Sequence, residues 1–271
     1  MGKIGVFDSG YGGLTILKEF LVSPVLSVYD YIYLGDNART PYGNKSTNTI
    51  YKYTCQAIDF LFNKDCELII TACNTVSAKV LRSIQQEYLP FNYPDKKVLG
   101  VVIPIIEEIV EIQARKIGVI GTRATIESHI YRKELEERDV DKKIFEQATP
   151  LLVPLVEENW IGKPETNKIL KKYLRPLKNK KIDILVLACT HYPFLIKDIR
   201  RIMGKNCKVL DVPKIMAEKL EDYLVRHPEI KNKLDKNKKR IFYTTDNADY
   251  FKDFCKNFLK DEKGNFQTIK L

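Results

Sequence analysis

The chain has 271 residues, of which 44% are hydrophobic and 30% charged, and its formal net charge is +10. This composition excludes a disordered chain and allows one large or two smaller globular domains. No stretch approaches the ~20 consecutive apolar residues of a membrane-spanning helix, and the first residues lack the pattern of a secretory signal. We therefore expect a cytoplasmic protein.

The basic residues look scattered along the sequence, apart from one dense run, KNKLDKNKKR, at 231–240. No aromatic residues alternate with them, and no nucleic-acid-binding motif is recognisable. A solvated surface explains this charge better than a nucleic-acid interface does. We expect neither a nucleic-acid nor a membrane partner.

The first half of the chain alternates strand and helix patterns. Buried apolar runs indicate strands, and apolar residues that recur every three or four positions indicate helices. The predicted strands are 4–7, 31–34, 68–72 and 98–103, and the predicted helices are 14–21, 49–63 and 77–88. This alternation predicts an α/β fold, with a mostly parallel sheet flanked by helices.

The second half repeats landmarks of the first. KIGV begins at Lys3 and again at Lys116, displaced by 113 residues, and a strand pattern that leads to a cysteine occurs at Cys73 and Cys189, displaced by 116. Two landmarks at nearly one offset predict an internal duplication that gives two similar domains facing each other. The alternative is that KIGV is simply a common start of a strand. A last strand–helix pattern at 241–259 must join one of the two sheets.

None of the six cysteines forms a Cys-x-x-Cys pair, and none lies in a Cys/His cluster with metal-ligand spacing. Cys73 in TACNTVSA and Cys189 in LACTHYPF each follow a predicted strand and precede polar residues. In open parallel sheets, ligands bind at the carboxyl ends of the strands. The other four lack such surroundings and are interpreted as structural residues: Cys55, Cys66, Cys207 and Cys255.

Two thiols that reach one cleft from opposite sides suggest a particular reaction. One thiolate can remove a proton from one face of a carbon while the other thiol delivers a proton to the opposite face, which inverts the stereocentre. Cysteine suits this task because its ordinary pKa of ~8.5 can be moved towards neutrality by neighbouring groups. Further polar groups at predicted strand ends are Asp8-Ser9, Pro41-Tyr42-Gly43, Asn74-Thr75, Gly121-Thr122 and Thr190-His191.

Seven stretches of the sequence, taken in order, resemble the glutamate racemase family of the aspartate/glutamate racemase superfamily. They extend over about 200 residues and read GVFDSGYGGLT, YLGDNARTPYG, TACNTVSA, GVVIP, GTRATIES, VPLVEEN and LACTHYPFL. The resemblance implies two similar α/β domains related by a pseudo-two-fold duplication, with the active site in the cleft between them. It implies a discontinuous first domain, residues 1–98 plus 211–271, and a second domain, residues 99–210.

The resemblance also implies an isomerase, an amino-acid racemase that interconverts L- and D-glutamate without pyridoxal phosphate or a metal. Its product, D-glutamate, would be used in peptidoglycan synthesis. We expect glutamate as a small-molecule substrate, and a homodimer. Because the first strand pattern begins close to the start of the chain, we expect no activator site ahead of it.

Site residues are implied by the same resemblance. Cys73 would act on the D-enantiomer with help from Asp8. Cys189 would act on the L-enantiomer with help from Glu157 and His191. The implied substrate-binding residues are Asp8, Ser9, Tyr42, Gly43, Asn74, Thr75, Thr190 and His191, with Thr122 as a weaker candidate.

Three alternatives stay open at this point. A racemase of the same superfamily that acts on aspartate or another small amino acid is the nearest, because selection by one methylene is worth only ~1–3 kcal/mol. A binding protein on the same scaffold has no need of two opposed thiols. A Cys–His hydrolase leaves the second cysteine without a role.

Overall fold

Two parallel sheets are built from the strands of residues 2–259 and 264–271, which the computed structural model describes. The strands β1–β10 are, in chain order, Lys3–Asp8, Tyr31–Gly35, Cys66–Thr71, Lys97–Gly100, Lys116–Gly121, Lys143–Ala148, Ile184–Ala188, Lys208–Val209, Arg240–Thr244 and Asn265–Thr268. The α-helices of these ranges, α1–α14, are Leu14–Val22, Thr47–Phe62, Asn74–Lys79, Leu81–Ser83, Leu89–Asn92, Val102–Glu111, Arg123–Glu127, Ile130–Glu136, Leu152–Glu157, Pro164–Asn179, Ile196–Met203, Val212–Arg226, Pro228–Lys231 and Ala248–Leu259.

The two sheets share one strand order. The larger sheet runs β10-β9-β2-β1-β3-β4 and the smaller runs β6-β5-β7-β8. The order β2-β1-β3-β4 therefore recurs as β6-β5-β7-β8, and the repeated KIGV begins β1 in one sheet and β5 in the other. The predicted architecture, two similar α/β units with parallel sheets flanked by helices, is confirmed.

The central strands are continuous apolar runs because helices cover both faces of each sheet. All five residues of β7 are buried, as are the residues of β1 that follow Lys3. One apolar cluster contains Ile4 of β1 together with Ile117 of β5. The two sheets are therefore linked through a common core.

The predicted strand at 98–103 is wrong in its second half. β4 ends at Gly100, and Val102 begins α6. The run of bulky apolar residues after Gly100 fits a buried strand and a buried helix equally well. Pro104 is compatible with the helix because it lies in the first turn, where backbone N–H groups have no intrahelical partner.

The predicted helix at 77–88 begins earlier than expected and is not continuous. Its first residue is Asn74, and Val80 leaves helical geometry with φ −135° and ψ −15°. A π-helical turn then covers Ile84–Tyr88. The early start matters for the site, because it makes Cys73 the residue that caps α3.

The chain leaves the larger sheet after β4, builds the smaller sheet and returns. The larger sheet takes its strands from 3–100 and 240–268, and the smaller takes its strands from 116–209. The division into residues 1–98 plus 211–271 and residues 99–210 stays a prediction. Among the described residues, no helix combines the length and the apolar character needed to cross a bilayer.

Candidate active site

Both cysteines that the sequence analysis singled out line one small cavity. Cys73 follows β3 of the larger sheet, and Cys189 follows β7 of the smaller sheet directly. Of the predicted substrate-binding residues, all except Asp8 line the cavity, and so does Thr122. The carboxyl ends of strands from two sheets thus meet at one place.

Asp8 and Glu157 lie behind residues that line the cavity. Asp8 is fully buried, and its carboxylate accepts hydrogen bonds from the Gly10 N–H at 3.1 Å and from Thr190 Oγ1 at 3.2 Å. Glu157 Oε1 lies 3.1 Å from His191 Nε2, whereas the next residue, Glu158, is exposed. Each carboxylate is therefore joined to the segment that follows β7.

Cys73 is buried beside polar groups of the larger sheet. Its side chain is 4% exposed, and Sγ lies 3.4 Å from Ser9 Oγ. Burial, together with the nearby Asp8 carboxylate, raises the pKa of Cys73 to about 12, against the opposing effect of its hydrogen bond with Ser9. Burial likewise raises the pKa of Asp8, although the charge of His191 opposes this. Cys73 is accordingly a thiol at neutral pH.

Cys189 has a different neighbour, the imidazole of His191. Nδ1 lies 3.9 Å from Cys189 Sγ, while Nε2 faces Glu157. Burial alone would lower the pKa of His191, but its hydrogen bonds with Cys189 and Glu157, and the charge of the Glu157 carboxylate, raise it to about 10. His191 is therefore an imidazolium at neutral pH, held between a sulfur and a carboxylate.

Close contacts join the two sides of the cavity. Thr75 Oγ1 lies 3.0 Å from Thr122 Oγ1, and a Cβ added to Gly43 would stand only 2.6 Å from Thr122 Cβ. Thr122 begins α7 as its N-cap and accepts a hydrogen bond from the Thr125 N–H. Position 43 accordingly needs glycine, because no larger residue allows the loop after β2 to approach α7 so closely.

Sequence reasoning missed several contributors. Thr40 lines the cavity, and its buried Oγ1 has no hydrogen-bond partner among the described residues. It stands next to Pro41 in the stretch YLGDNARTPYG, so this motif could have pointed to it. Val153 also lines the cavity and is the first residue of the stretch VPLVEEN, so this motif could have pointed to it. Tyr131, which contacts Asn74, lies in a helical pattern outside the seven stretches.

A second cavity, of about 530 Å³, is larger and lies away from the cysteines. Arg82, Glu134 and Lys219 are among the residues that line it, and none of the predicted site residues is. Cavity size alone would therefore have pointed away from the cluster of strand-end residues.

The chain is similar to known proteins over nearly its whole length. A glutamate racemase of Sulfurihydrogenibium sp. (strain YO3AOP1) is 40% identical over 271 residues, which cover 99% of this chain and 96% of that protein. The crystal structure of a glutamate racemase isoform of Bacillus anthracis is 31% identical with a TM-score of 0.89, covering 100% of this chain and 98% of that one.

A glutamate racemase of Francisella tularensis, solved in complex with D-glutamate, is also 31% identical, with a TM-score of 0.87 and coverage of 99% of this chain and 97% of that one. A family model described as Asp/Glu/Hydantoin racemase matches residues 26–220. Fold, strand-end cysteines and sequence relatives agree, and the chain belongs to the Asp/Glu/hydantoin racemase family.

Proposed function

We propose that this protein is a glutamate racemase in which Cys73 and Cys189 act as two bases on one carbon. The observation that carries the proposal is that these cysteines come from different sheets and line the same cavity. A single nucleophile would leave one of the two thiols without a role, and a simple binding site would need neither.

The neighbours of the two sulfurs suit opposite starting protonation states. Cys73, whose pKa is raised to about 12, begins as a thiol and can deliver a proton. His191 Nδ1 lies 3.9 Å from Cys189 Sγ, and its positive charge can stabilise the negative sulfur with which Cys189 accepts one. In the L-to-D direction, Cys189 removes the α-proton of L-glutamate and Cys73 protonates the opposite face. The reverse direction begins with the two cysteines in the opposite protonation states.

The carbanion-like state formed between these two steps needs stabilisation, because the α-proton of an amino acid is a very weak acid. Donors fixed in a buried site supply it by electrostatic preorganisation. Asn74 Nδ2 and Thr40 Oγ1 are buried, have no hydrogen-bond partner among the described residues, and belong to residues that line the cavity. Both can donate to a carboxylate of the bound amino acid.

The choice of glutamate rests on the relatives. The proteins 40% and 31% identical to this chain are glutamate racemases, and one of them was solved with D-glutamate. We further propose that the D-glutamate formed serves peptidoglycan synthesis. The test introduces the gene for this protein on a plasmid into a bacterium that requires D-glutamate. Growth without added D-glutamate would support this role, and failure to grow would count against it.

The test of the two-base scheme follows hydrogen exchange in heavy water. With L-glutamate, the D-glutamate formed early should carry deuterium at Cα while the remaining L-glutamate does not. Cys73→Ala and Cys189→Ala should each lower racemisation by at least ~10²–10⁴-fold and keep the fold. Full racemisation by either variant would refute the scheme.

Matched controls come from the other buried cysteines. Cys55→Ala and Cys207→Ala remove thiols that are each 9% exposed and do not line the cavity. Both variants should racemise like the unmodified chain. The same assay with aspartate decides the alternative substrate, since faster turnover of aspartate would replace glutamate in this proposal.

We also propose that the chain forms a homodimer, as the family resemblance implies. Trp160 and Ile161, which follow Glu157 and Glu158 closely in the sequence, are 45% and 39% exposed. Exposed apolar side chains of this kind are candidates for an interface. Sedimentation at several protein concentrations should give twice the chain mass, and a monomer at all concentrations would contradict it.

A further inference from the structure

Asn74, the first residue of α3, is held in an unusual way. Its side chain is 2% exposed and lines the cavity that contains both cysteines. Its Oδ1 accepts a hydrogen bond of 2.6 Å from the hydroxyl of Tyr131. Its Nδ2 is buried without a hydrogen-bond partner among the described residues. One end of this amide is thus committed and the other end is free to donate.

Tyr131 comes from the other side of the cavity. It belongs to α8, in the part of the chain that builds the smaller sheet, whereas Asn74 follows β3 of the larger sheet. Tyr131 is 1% exposed, and burial raises the pKa of its phenol, so the hydroxyl keeps the proton that it donates to Asn74 Oδ1. The donor direction fixes which end of the Asn74 amide faces the tyrosine, because only Oδ1 can accept from it.

We propose that Tyr131 is a positioning residue for substrate binding. By occupying Oδ1, it orients the Asn74 amide so that the two N–H bonds of Nδ2 are left for the ligand. A group bound there must be a hydrogen-bond acceptor, which selects a carboxylate of the amino acid over its ammonium group. This inference rests on the proposed function and adds a residue and a specificity rule to it.

The first test is Tyr131→Phe, which removes the hydroxyl and keeps the buried ring. The freed amide can rotate, so KM for both glutamate enantiomers should rise about tenfold, as expected when a hydrogen bond to a charged group is weakened. The value of kcat should change less than KM, because the carboxylate that Nδ2 contacts is already charged in the ground state and the carbanion-like state adds only part of a further charge.

The matched control is Tyr31→Phe. Tyr31 is also 1% exposed, and its hydroxyl donates to the Leu26 carbonyl at 3.1 Å, but it does not line the cavity. Both variants lose one buried hydrogen bond and should lower the melting temperature to a similar extent. Only Tyr131→Phe should raise KM. Equal KM values in the two variants would overturn the proposal.

A double-mutant cycle separates positioning from general structural support. Asn74→Ala should raise KM by itself, and adding Tyr131→Phe to it should then have no further effect on KM. An equal effect of Tyr131→Phe with and without Asn74 would overturn the proposal. Asn74→Asp offers a second variant that keeps an acceptor for Tyr131 and replaces the donor with a negative charge, so it should weaken glutamate binding more than Asn74→Ala does.

Binding of D-glutamate, measured by calorimetry on the same variants, keeps the two proposals distinguishable. If the unmodified chain binds and racemises glutamate but Tyr131→Phe binds it equally well, only the positioning role fails. If the unmodified chain binds glutamate without racemising it, the function proposal fails, and the calorimetric comparison still decides the role of Tyr131. If it neither binds nor racemises glutamate, both fail together.

Discussion

His191 is the residue whose charge links the chemistry of this site to its stability. Its pKa is raised from 6.5 to about 10, so the folded chain holds this proton more tightly than the unfolded chain does. The stabilisation is fully present below pH 6.5 and is lost progressively as the pH rises towards 10. Loss of this proton also removes the positive charge beside Cys189.

We expect the melting temperature of the unmodified chain to fall by several degrees between pH 6 and pH 9, at roughly 2–4 °C per kcal/mol for a chain of this size. His191→Gln, which is neutral throughout, should lack this part of the fall. His129→Gln is the control, because His129 is an exposed histidine hydrogen-bonded to Glu146. Parallel pH curves for the unmodified chain and His191→Gln would contradict the assigned charge.

Many residues of the candidate site could be predicted because they occur in short contiguous motifs. Cys73-Asn74-Thr75 and Cys189-Thr190-His191 each follow a buried strand, and strand ends of a parallel sheet meet at one edge. Tyr131 could not be found in this way. It becomes relevant only because α8 packs where its hydroxyl reaches Asn74, 57 positions away in sequence.

Helix α14 connects the segment after β1 with the segment after β7 through aromatic side chains. The ring of Phe254 lies 5.1 Å from that of Tyr11, which follows Ser9 and Gly10, and 6.0 Å from that of Phe194, which follows His191. A helix that packs on the larger sheet thus also contacts the segment after β7. Its packing should influence how closely the two sides of the cavity approach each other.

Phe254→Leu tests this connection. Loss of the ring contacts should lower the free energy of unfolding by about 1 kcal/mol and lower kcat/KM several-fold. Phe60→Leu is the matched control. The partly buried ring of Phe60, in α2, lies 4.9 Å from that of Tyr243 in β9, so this contact joins a helix to the larger sheet and does not reach the segment after β7. It should lose similar stability and keep its kcat/KM. Equal kinetic effects of both variants would refute the connection.

Element boundaries were predictable only where pattern and length agreed. The helix expected at 49–63 runs Thr47–Phe62, because Ser46 caps it and its apolar spacing is regular. The segment after Gly100 was misjudged because a short, uniformly apolar run has no periodicity to separate a strand from a helix. There, tertiary packing against α12 and α8 decides the structure.

Across the whole molecule, the net charge is concentrated in one region, which corrects its interpretation as scattered. Residues 163–208 contain thirteen Lys and Arg but three Asp and Glu, a net of +10, and the rest of the chain has 32 of each sign. Most of these basic side chains are exposed, and many lie on α10 and α11, which pack against each other. The surface around α10 and α11 is therefore strongly basic.

We expect the triple variant K171Q/K172Q/R175Q to leave a cation-exchange column at clearly lower salt, because clustered charges act together on an anionic surface. Racemisation should be unchanged, since these exposed residues of α10 do not line the cavity.

The control for this variant removes three charges from the other basic run. K233Q/K236Q/K239Q changes the net charge by the same amount but touches only exposed lysines of residues 231–240. It should shift the elution less. Equal shifts for the two triple variants would show that total charge, and not its distribution, governs the interaction.

The return of the chain to the larger sheet constrains the order of events during synthesis on a ribosome. β9 pairs with β2 along its whole length, from Tyr31↔Arg240 to Gly35↔Thr244, yet it emerges after every strand of the smaller sheet. Until then, one edge of β2 is open, and an open strand edge invites pairing with other chains. A nascent chain stalled before residue 240 would carry a finished smaller sheet beside an unfinished larger one. Arrival of β9 is thus the step that covers this edge of β2, and β10 then pairs with the outer edge of β9.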